Sequence, residues 1–257
     1  MMKKYFFFDI DGTLQYWSSG KQIVPDSVYF TLRKLKENGH FTAIATGRSY
    51  AMSVDVMRKF GLHNMVHDGG NGVTIEDEML GVEPLDKEVC IALIHECEEK
   101  GFPWGLSPEN KRYRYVKDDR FMEATKDDYL PSIVKNDLNP EDFSEIYKVY
   151  IACKPHEEKR LETLKKITWC RYHETYFFVE PTDKARGIYR IMDHFHAPYE
   201  DAVVFGDDLN DLSMFDKEWF SIAMGNGKKQ LKDIADYVTD NAENDGIYKA
   251  CKKFGWI

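Results

Sequence analysis

The sequence predicts an α/β protein with a Rossmann-like parallel-sheet core, helices on both faces of that sheet, and an inserted α+β cap domain. Three observations support this prediction. Short apolar runs alternate with helix-like segments at both ends of the chain, which is typical of a parallel sheet covered by helices. The middle of the chain instead has runs of strands with few helices, which indicates an antiparallel α+β insertion. The chain has 257 residues, of which 43% are hydrophobic, enough for a sizeable core.

The first predicted segment of the core covers residues 1–81. Its first helix has Val28, Leu32 and Leu35 on one face and ends at Gly39. The apolar run that follows this helix is typical of a buried parallel strand. In order, the predicted elements are a strand over 4–8, a helix over 25–38, a strand over Phe41–Ala45, a helix ending near 59 and a strand over Met65–His67.

The predicted cap covers residues 82–182. Its first helix carries Val89, Leu93 and Cys97 at four-residue spacing, which places them on one face. Aromatic-rich strands follow, and a linker over 180–182 leads back to the core. In order, the predicted elements are a helix over 86–100, strands over 102–106, 112–116 and 146–153, a helix over 156–167, and strands over 168–172 and 175–179.

The core resumes at residue 183 and continues to 257. The pattern again alternates helices and strands, so both core segments are expected to share one sheet. In order, the predicted elements are a helix over 184–195, a strand over 202–205, a loop over 206–211, a short helix over 212–215, a strand over 220–224, a turn over 225–227 and a helix over 246–254.

The composition narrows the functional class. The formal net charge is −9, and because nucleic-acid-binding proteins usually present a basic face, no nucleic-acid partner is expected. No apolar run approaches the ~18 residues of a membrane span, and the N-terminal apolar run is too short for a signal peptide. A cytoplasmic location is therefore expected, with no membrane partner. The five cysteines form no CxxC pair and are expected to be reduced.

The most informative motif is Asp9-Ile10-Asp11-Gly12-Thr13, which follows the apolar run Tyr5–Phe8. Side chains alternate along a strand, so Asp9 and Asp11 project to the same side. Ligands of open α/β sheets bind outside the carboxyl ends of the strands. Gly12 permits a sharp turn there. The motif therefore predicts two neighbouring acids at a substrate site, although a solvated acidic turn would have the same local pattern.

Four sets of polar residues fall at predicted strand ends or helix starts: Asp9 and Asp11, Thr46-Gly47-Arg48, Lys184, and Asp207 with Asn210 and Asp211. Each set alone has an ordinary explanation as a turn, a helix cap or an exposed lysine, but together, in this order, they favour one site. The gathered carboxylates would repel each other unless a hard cation neutralised them. No His/Cys set nearby has zinc spacing, so the sequence predicts Mg²⁺ bound by Asp9, Asp11, Asp207 and Asp211.

With these motifs the chain resembles the haloacid dehalogenase-like hydrolases, and within them the Cof-type phosphatases, which carry a large cap between the second and third motifs. The resemblance covers essentially the whole chain, and Asn71-Gly72 also resembles the end of the third core strand in this subgroup. Ala185 departs from the pattern, which more often has Gly after the third-motif lysine. The matching motifs are Phe8-Asp9-Ile10-Asp11-Gly12-Thr13-Leu14, Thr46-Gly47-Arg48, Asp183-Lys184-Ala185-Arg186-Gly187 and Gly206-Asp207-Asp208-Leu209-Asn210-Asp211.

The resemblance implies a role for each motif residue. Asp9 would be the nucleophile that forms an aspartyl-phosphate, and Asp11 would be the general acid and base. The metal would bind the Asp9 carboxylate, the Asp11 backbone carbonyl and Asp207, with Asp211 acting through water or as an orienting group. The phosphate-binding residues would be Thr13, Thr46, Gly47 and Lys184, and the supporting residues would be Arg48 and Asn210.

The leading prediction is a Mg²⁺-dependent phosphatase that hydrolyses a small phosphorylated metabolite. Sugar phosphates, nucleotides and phosphorylated cofactors all stay open as substrates, and the oligomeric state stays open too. A phosphotransferase or phosphosugar mutase on the same scaffold is the alternative. A non-catalytic binding protein is a third candidate, but the intact acidic residues and Lys184 argue against it.

The cap is expected to determine specificity. Its aromatic and basic residues are candidates for contact with the leaving group, although each one singly has a plainer interpretation. The aromatic side chains would pack within the sheet, and the basic side chains would form a solvated face. The candidates are Trp104, Arg112, Arg114, Lys117 and Tyr176.

Overall fold

A computed structural model describes residues 2–171 and 173–257. Met1, in the predicted first core segment, and Tyr172, at the end of a predicted cap strand, lie outside the described residues. The chain divides into two compact units. The core unit comprises 2–48, Ser53–Val82 and Asp183–Ile257, and the insertion unit comprises Ser49–Met52 and Glu83–Thr182. None of the described helices is long and apolar enough to cross a membrane.

The strands are, in chain order, β1 (Tyr5–Phe8), β2 (Tyr16–Ser18), β3 (Lys21–Ile23), β4 (Phe41–Ala45), β5 (Met65–His67), β6 (Gly72–Ile75), β7 (Glu78–Val82), β8 (Trp104–Ser107), β9 (Arg114–Val116), β10 (Ser132–Val134), β11 (Lys148–Ala152), β12 (Trp169–Cys170), β13 (Tyr176–Val179), β14 (Ala202–Gly206), β15 (Phe220–Ala223) and β16 (Tyr237–Val238).

The helices are α1 (Asp26–Glu37), α2 (Tyr50–Lys59), α3 (Lys87–Lys100), α4 (Arg120–Thr125), α5 (Lys184–His194), α6 (Lys229–Lys232) and α7 (Gly246–Lys253). Short 3-10 segments connect several elements. Those used below span Glu157–Arg160, Glu162–Lys166 and Leu209–Met214.

The core sheet has the strand order β16-β15-β14-β1-β4-β5-β6-β7. The strands from β16 to β5 pair in parallel, and β6 and β7 add an antiparallel edge. β1 is central, and its four residues are all buried because both faces of the sheet are covered. Phe7 packs in the cluster that contains Ile188 and Ile191 of α5, whereas the ring of Phe6 contacts Trp256, just beyond α7.

The predicted fold class is therefore confirmed, an α/β core with a separate sheet in the insertion. Two core hairpins, β2–β3 and β6–β7, fall where no strand was predicted. The residues of β7 are exposed apart from the half-buried Val82, so the strand carries no buried apolar pattern. Its conformation is set by pairing with β6. A local sequence pattern does not indicate such pairing, because the conformation of an exposed edge strand depends on its neighbouring strand.

The insertion unit is built on a six-stranded sheet of order β10-β9-β8-β11-β13-β12. All its neighbouring strands are antiparallel except β9 and β10, which run in parallel. α3 covers one face with Cys90, Leu93, Ile94 and Cys97. This helix begins at an Asp86 cap, whose carboxylate accepts a hydrogen bond from the Val89 N–H, and it ends at a left-handed glycine.

The helix predicted over 156–167 is wrong. The structure has two 3-10 segments there, separated by Leu161 in an extended conformation. The extended residue lets Leu161 and Leu164 both enter the apolar cluster under α3. The Glu96 carboxylate of α3 accepts hydrogen bonds from the N–H groups of Glu162, at 2.8 Å, and Thr163, at 2.9 Å. The second 3-10 segment thus starts where Glu96 of α3 accepts these hydrogen bonds. The local sequence pattern could not indicate such a tertiary contact.

We predict that Glu96→Gln destabilises the protein by about 2 kcal/mol at pH 7. Burial alone would raise the pKa of Glu96, but hydrogen bonds from Lys100, Thr163 and Glu162 lower it from 4.5 to about 2. Because the folded-state pKa lies below the unfolded one, the stabilisation is complete above about pH 4.5 and is lost as the pH falls towards about 2. Urea unfolding of both proteins between pH 2 and pH 7 measures this, with Glu99→Gln, on an exposed residue of the same helix, as the control. An equal difference at every pH would contradict the prediction.

The opposite face of the insertion sheet contains a buried arginine. Arg114 was expected on a solvated face, but its side chain is fully buried, so that expectation is wrong. Its guanidinium donates to Asp127 Oδ2 at 2.5 Å and to Ser132 Oγ at 2.9 Å. The guanidinium carbon lies 4.5 Å from the ring centre of Phe121 and 5.0 Å from that of Tyr150. The acidic and aromatic neighbours together offset the free-energy cost of burying this charge.

The other cap candidates differ in accessibility. Trp104 and Tyr176 are buried and pack within the unit, which is the plainer of the two interpretations given for them. Lys117 is half-exposed and forms an ion pair with Glu98 at 2.7 Å. Arg112 is exposed, and its Nε donates to the backbone oxygen of Ala51.

Candidate active site

The acidic and hydroxyl side chains of the candidate site follow three neighbouring strands of the core sheet. Asp9 comes directly after β1, Thr46 directly after β4, and Asp207 directly after β14. β1 is hydrogen-bonded in parallel to both β4 and β14. Because the carboxyl ends of parallel strands meet at one edge of a sheet, the three residues share that edge.

Lys184 joins two of the carboxylates. It is the first residue of α5, which Asp183 caps by accepting a hydrogen bond from the Arg186 N–H. The Nζ atom of Lys184 donates to Asp9 Oδ1 at 2.7 Å and to Asp211 Oδ1 at 2.5 Å. All three side chains are almost completely buried. The ammonium group is therefore fixed between two carboxylates rather than solvated at a helix start.

Asp211 orders the loop that carries Asp207. Together with Asp208 it forms a capping box at the start of the 3-10 segment after β14. Its Oδ2 accepts hydrogen bonds from the N–H groups of Asp207, at 2.9 Å, and Asp208, at 3.1 Å. Its other oxygen accepts from Lys184, so both oxygens are engaged with protein donors. Asn210 is half-buried on the same segment.

The first motif lies directly against Asp207. Gly12 has φ +92°, and a Cβ atom built there would lie 2.1 Å from Asp207 Oδ2, so only glycine fits. The Thr13 hydroxyl donates to Asp207 Oδ1 at 3.1 Å. The carbonyl of Gly12 accepts a hydrogen bond from Asn226 Nδ2 at 2.9 Å. The Thr13 hydroxyl thus hydrogen-bonds the Asp207 carboxylate. The backbone N–H is the group of Thr13 that suits a phosphate.

Asp11 and Arg48 form an ion pair between the first and second motifs. Arg48 NH2 lies 2.5 Å from Asp11 Oδ2, and the carboxylate is 41% exposed. In the second motif, Thr46 Oγ1 accepts a hydrogen bond from the Arg48 N–H at 3.1 Å. Gly47 lies half-buried between them. Backbone N–H groups of Asp68 and Gly69 donate to the carbonyls of Arg48 and Thr46, which holds this turn in place.

The loop after β5 supports the third motif. Gly70 has φ +107°, and a Cβ atom there would lie 1.8 Å from the Asp183 carbonyl oxygen. Asn71 accepts hydrogen bonds on its side-chain oxygen from Arg186 and on its carbonyl from Arg190. This close packing fixes the start of α5, and with it Lys184.

Burial and neighbouring charges shift the pKa values of three groups in the site. Burial raises the pKa of Asp9 well above its usual value, and the charge of Asp211 adds to the effect. Burial and Asp211 likewise raise the pKa of Asp207 to about 7. Although burial alone would lower the pKa of Lys184, the charges of Asp211 and Asp9 raise it. One ammonium group thus faces three carboxylates, which leaves a formal charge of −2.

These carboxylates suit a divalent cation. Asp9, Asp207 and Asp211 each have an oxygen within 4.8 Å of the others, so the cluster could hold a metal ion. Their hard oxygen atoms are the ligands that Mg²⁺ prefers, and two positive charges would balance the residual charge. The side chain of Asp11 is not part of this cluster.

Sequence reasoning missed two residues at this edge. Gln15 donates from Nε2 to Asp11 Oδ1 at 2.9 Å. Asn226, noted only as part of a turn, connects the Gly12 carbonyl to the Ala242 N–H. A signal for Asn226 was available, because its turn follows β15, which is another parallel strand with its end at the same edge. No comparable signal exists for Gln15.

Known proteins resemble the chain over its whole length. The profile of the haloacid dehalogenase-like hydrolases matches residues 6–251. YkrA of Bacillus subtilis is 31% identical over 263 residues, with 100% of each chain covered. The 5-amino-6-(5-phospho-D-ribitylamino)uracil phosphatase YitU of the same organism is 24% identical, covering 96% of this chain and 95% of its own.

Solved structures give the same result. A protein of Geobacillus kaustophilus HTA426 superposes with a TM-score of 0.85 at 29% identity, with 100% of each chain covered. The HAD subclass IIB sugar phosphatase BT4131 superposes with a TM-score of 0.79 at 27% identity, covering 99% of this chain and 100% of its own. The resemblance inferred from the motifs is confirmed: the chain belongs to the haloacid dehalogenase-like hydrolases and is a Cof-type phosphatase of subclass IIB.

Proposed function

We propose that this phosphatase hydrolyses small phosphomonoesters through an aspartyl-phosphate on Asp9. The observation that carries the proposal is the position of Asp9, whose Oδ1 is held by Lys184 beside Asp207 while Asp11 lies two residues away. A buried carboxylate fixed by an ammonium group is oriented for attack on phosphorus. YitU is a 5-amino-6-(5-phospho-D-ribitylamino)uracil phosphatase and BT4131 is a sugar phosphatase, which supports a small phosphorylated metabolite as the substrate. Sugar phosphates, nucleotides and phosphorylated cofactors are the candidates within that class.

The first step is assigned to Asp9 and Asp11. The Asp9 oxygen that Lys184 does not hold forms a bond to phosphorus, and the bond from phosphorus to the leaving oxygen breaks. Asp11, which binds a proton from solvent when Arg48 turns from its Oδ2 to the arriving phosphate, gives that proton to the leaving oxygen. We assign the phosphoryl oxygens to Thr46, Lys184 and the backbone N–H groups of Thr13 and Gly47.

The second step returns the enzyme to its starting state. Asp11, now ionised, takes a proton from water as the water oxygen bonds to phosphorus. The bond between phosphorus and Asp9 breaks, and its electrons return to the carboxylate. Arg48, which pairs with Asp11 before the substrate binds, supports this exchange by directing its positive charge to the phosphate, and Asn210 supports the loop beside Asp211.

The carboxylates also fit the predicted magnesium ion. Asp9, the Asp11 carbonyl and Asp207 would hold it, with Asp211 ordering the loop. When bound, the ion supplies positive charge that reduces repulsion between the anionic nucleophile and the anionic substrate.

We predict that EDTA removes the activity and that Mg²⁺ restores it better than Ca²⁺. Ca²⁺ takes more ligands at longer distances, which would displace the nucleophile. The measurement is phosphate release from a panel of phosphomonoesters after metal removal and readdition. Isothermal titration of metal-free protein with Mg²⁺ gives a readout besides activity. Full activity in metal-free buffer would contradict the prediction.

The panel also separates the proposed hydrolase from the alternative. A hexose monophosphate is offered and its products are analysed. Free sugar and phosphate support hydrolysis. An isomeric sugar phosphate, formed without free phosphate, would instead identify the phosphosugar mutase.

A further inference from the structure

Gln15, the residue that follows the first motif, holds the Asp11 side chain. Its side chain is buried, and its Nε2 donates to Asp11 Oδ1 at 2.9 Å. Its backbone is fixed as well, because the Gln15 N–H donates to the Ile10 carbonyl at 3.0 Å and its carbonyl accepts from the Gly12 N–H at 2.7 Å. The amide therefore has little freedom to move away from the carboxylate.

The second oxygen of Asp11 has a different kind of partner. Oδ2 faces the guanidinium of Arg48, whose side chain is 23% exposed, whereas Gln15 is 2% exposed. A long, partly solvated arginine can turn towards an arriving anion, because its charge attracts phosphate. Gln15 is buried and its backbone is held by two hydrogen bonds, so its amide cannot turn away in the same manner. Gln15 thus keeps Oδ1 of Asp11 in place, whereas Oδ2 is the oxygen that Arg48 can release.

We propose that Gln15 is a positioning residue that makes Oδ2 the working atom of Asp11. The inference rests on the proposed function of Asp11. As the bond from phosphorus to the leaving oxygen breaks, the electron pair goes to that oxygen and the proton moves to it from Oδ2. In the second step, the proton from water returns to Oδ2. Gln15 keeps Oδ1 in its hydrogen bond throughout, so the carboxylate does not rotate between steps.

The test uses Gln15→Met, which keeps the side-chain length and removes the amide donor. Proton donation matters for an alkyl phosphate, whose alkoxide leaves poorly, and much less for p-nitrophenyl phosphate, whose phenolate leaves without a proton. The expected result is that the ratio of kcat/KM for the alkyl phosphate to kcat/KM for p-nitrophenyl phosphate falls about tenfold. A purely structural role for Gln15 would lower both values together and leave this ratio unchanged.

Two further variants make the result decisive. Gln22→Met, the same substitution at an exposed position of β3, is expected to keep the ratio of the wild type. Asp11→Asn tests the proposed function itself and is expected to lower the ratio by about 100-fold or more. If Asp11→Asn lowers the ratio and Gln15→Met does not, the positioning role is wrong and the proposed function stands. If Asp11→Asn leaves the ratio unchanged, the acid role of Asp11 is wrong, and the inference about Gln15 is overturned with it.

Discussion

Asp9→Asn is expected to lower kcat by about 10⁴-fold or more while leaving the fold intact. The amide keeps the shape of the carboxylate but cannot attack phosphorus. Lys184 keeps its hydrogen bond to Asp211 in the variant, so the ammonium group retains a charged partner. The measurements are steady-state kinetics and circular dichroism, with acid-quenched detection of phosphoryl-enzyme on the wild type.

The control is Asp233→Asn, an exposed aspartate of the same unit that pairs with Lys229. It is expected to keep both the activity and the thermal stability of the wild type. Residual activity above about 10% in Asp9→Asn would rule out the covalent mechanism, because nucleophile loss costs orders of magnitude. That outcome would leave the family membership and the fold unaffected.

Arg114→Met is expected to destabilise the insertion unit by about 3 kcal/mol. The substitution retains an apolar stem of similar length but leaves Asp127 buried without its charged partner. Asp127 then keeps the hydrogen bonds from the Tyr176 hydroxyl, at 2.8 Å, and from the Tyr129 N–H, at 3.1 Å, which are too weak to offset a buried charge. Urea unfolding of the full chain at pH 7 gives the free energy of unfolding.

Two comparisons test the cause of this loss. Arg120→Met, at an exposed arginine that pairs with Asp118, is expected to cost less than about 1 kcal/mol. Adding Asp127→Asn to Arg114→Met is expected to recover at least about 1 kcal/mol, because the unpaired charge is removed. No recovery in the double variant would mean that lost packing against Phe121 and Tyr150, rather than the charge, dominates.

The candidate site could be predicted because its residues are adjacent in sequence to buried strands. Asp9 follows β1 directly, Thr46 follows β4, and the apolar runs that mark those strands are strong local signals. The parallel pairing then brings the strand ends together, which is a rule of topology rather than of local sequence. The same reasoning placed Lys184 at a helix start beside them.

The remaining features depend on contacts that a local pattern does not contain. Arg114 looks like a surface residue until Asp127 and three aromatic rings surround it. The break at Leu161 depends on Glu96, more than sixty residues earlier in the chain. Gln15 has an ordinary sequence context, and only the turn that brings its amide to Asp11 reveals a role.

The central position of β1 has a consequence for biosynthesis. Its neighbour β14 begins at residue 202, so one side of β1 has no pairing strand until most of the chain has been translated. Lys184 reaches Asp9 across a separation of 175 residues. The insertion is a nearly continuous stretch of chain and emerges from the ribosome before β14 does. The chain therefore exposes Asp9 well before its ammonium partner Lys184 is translated, so a translation product that ends before Lys184 lacks an assembled candidate site.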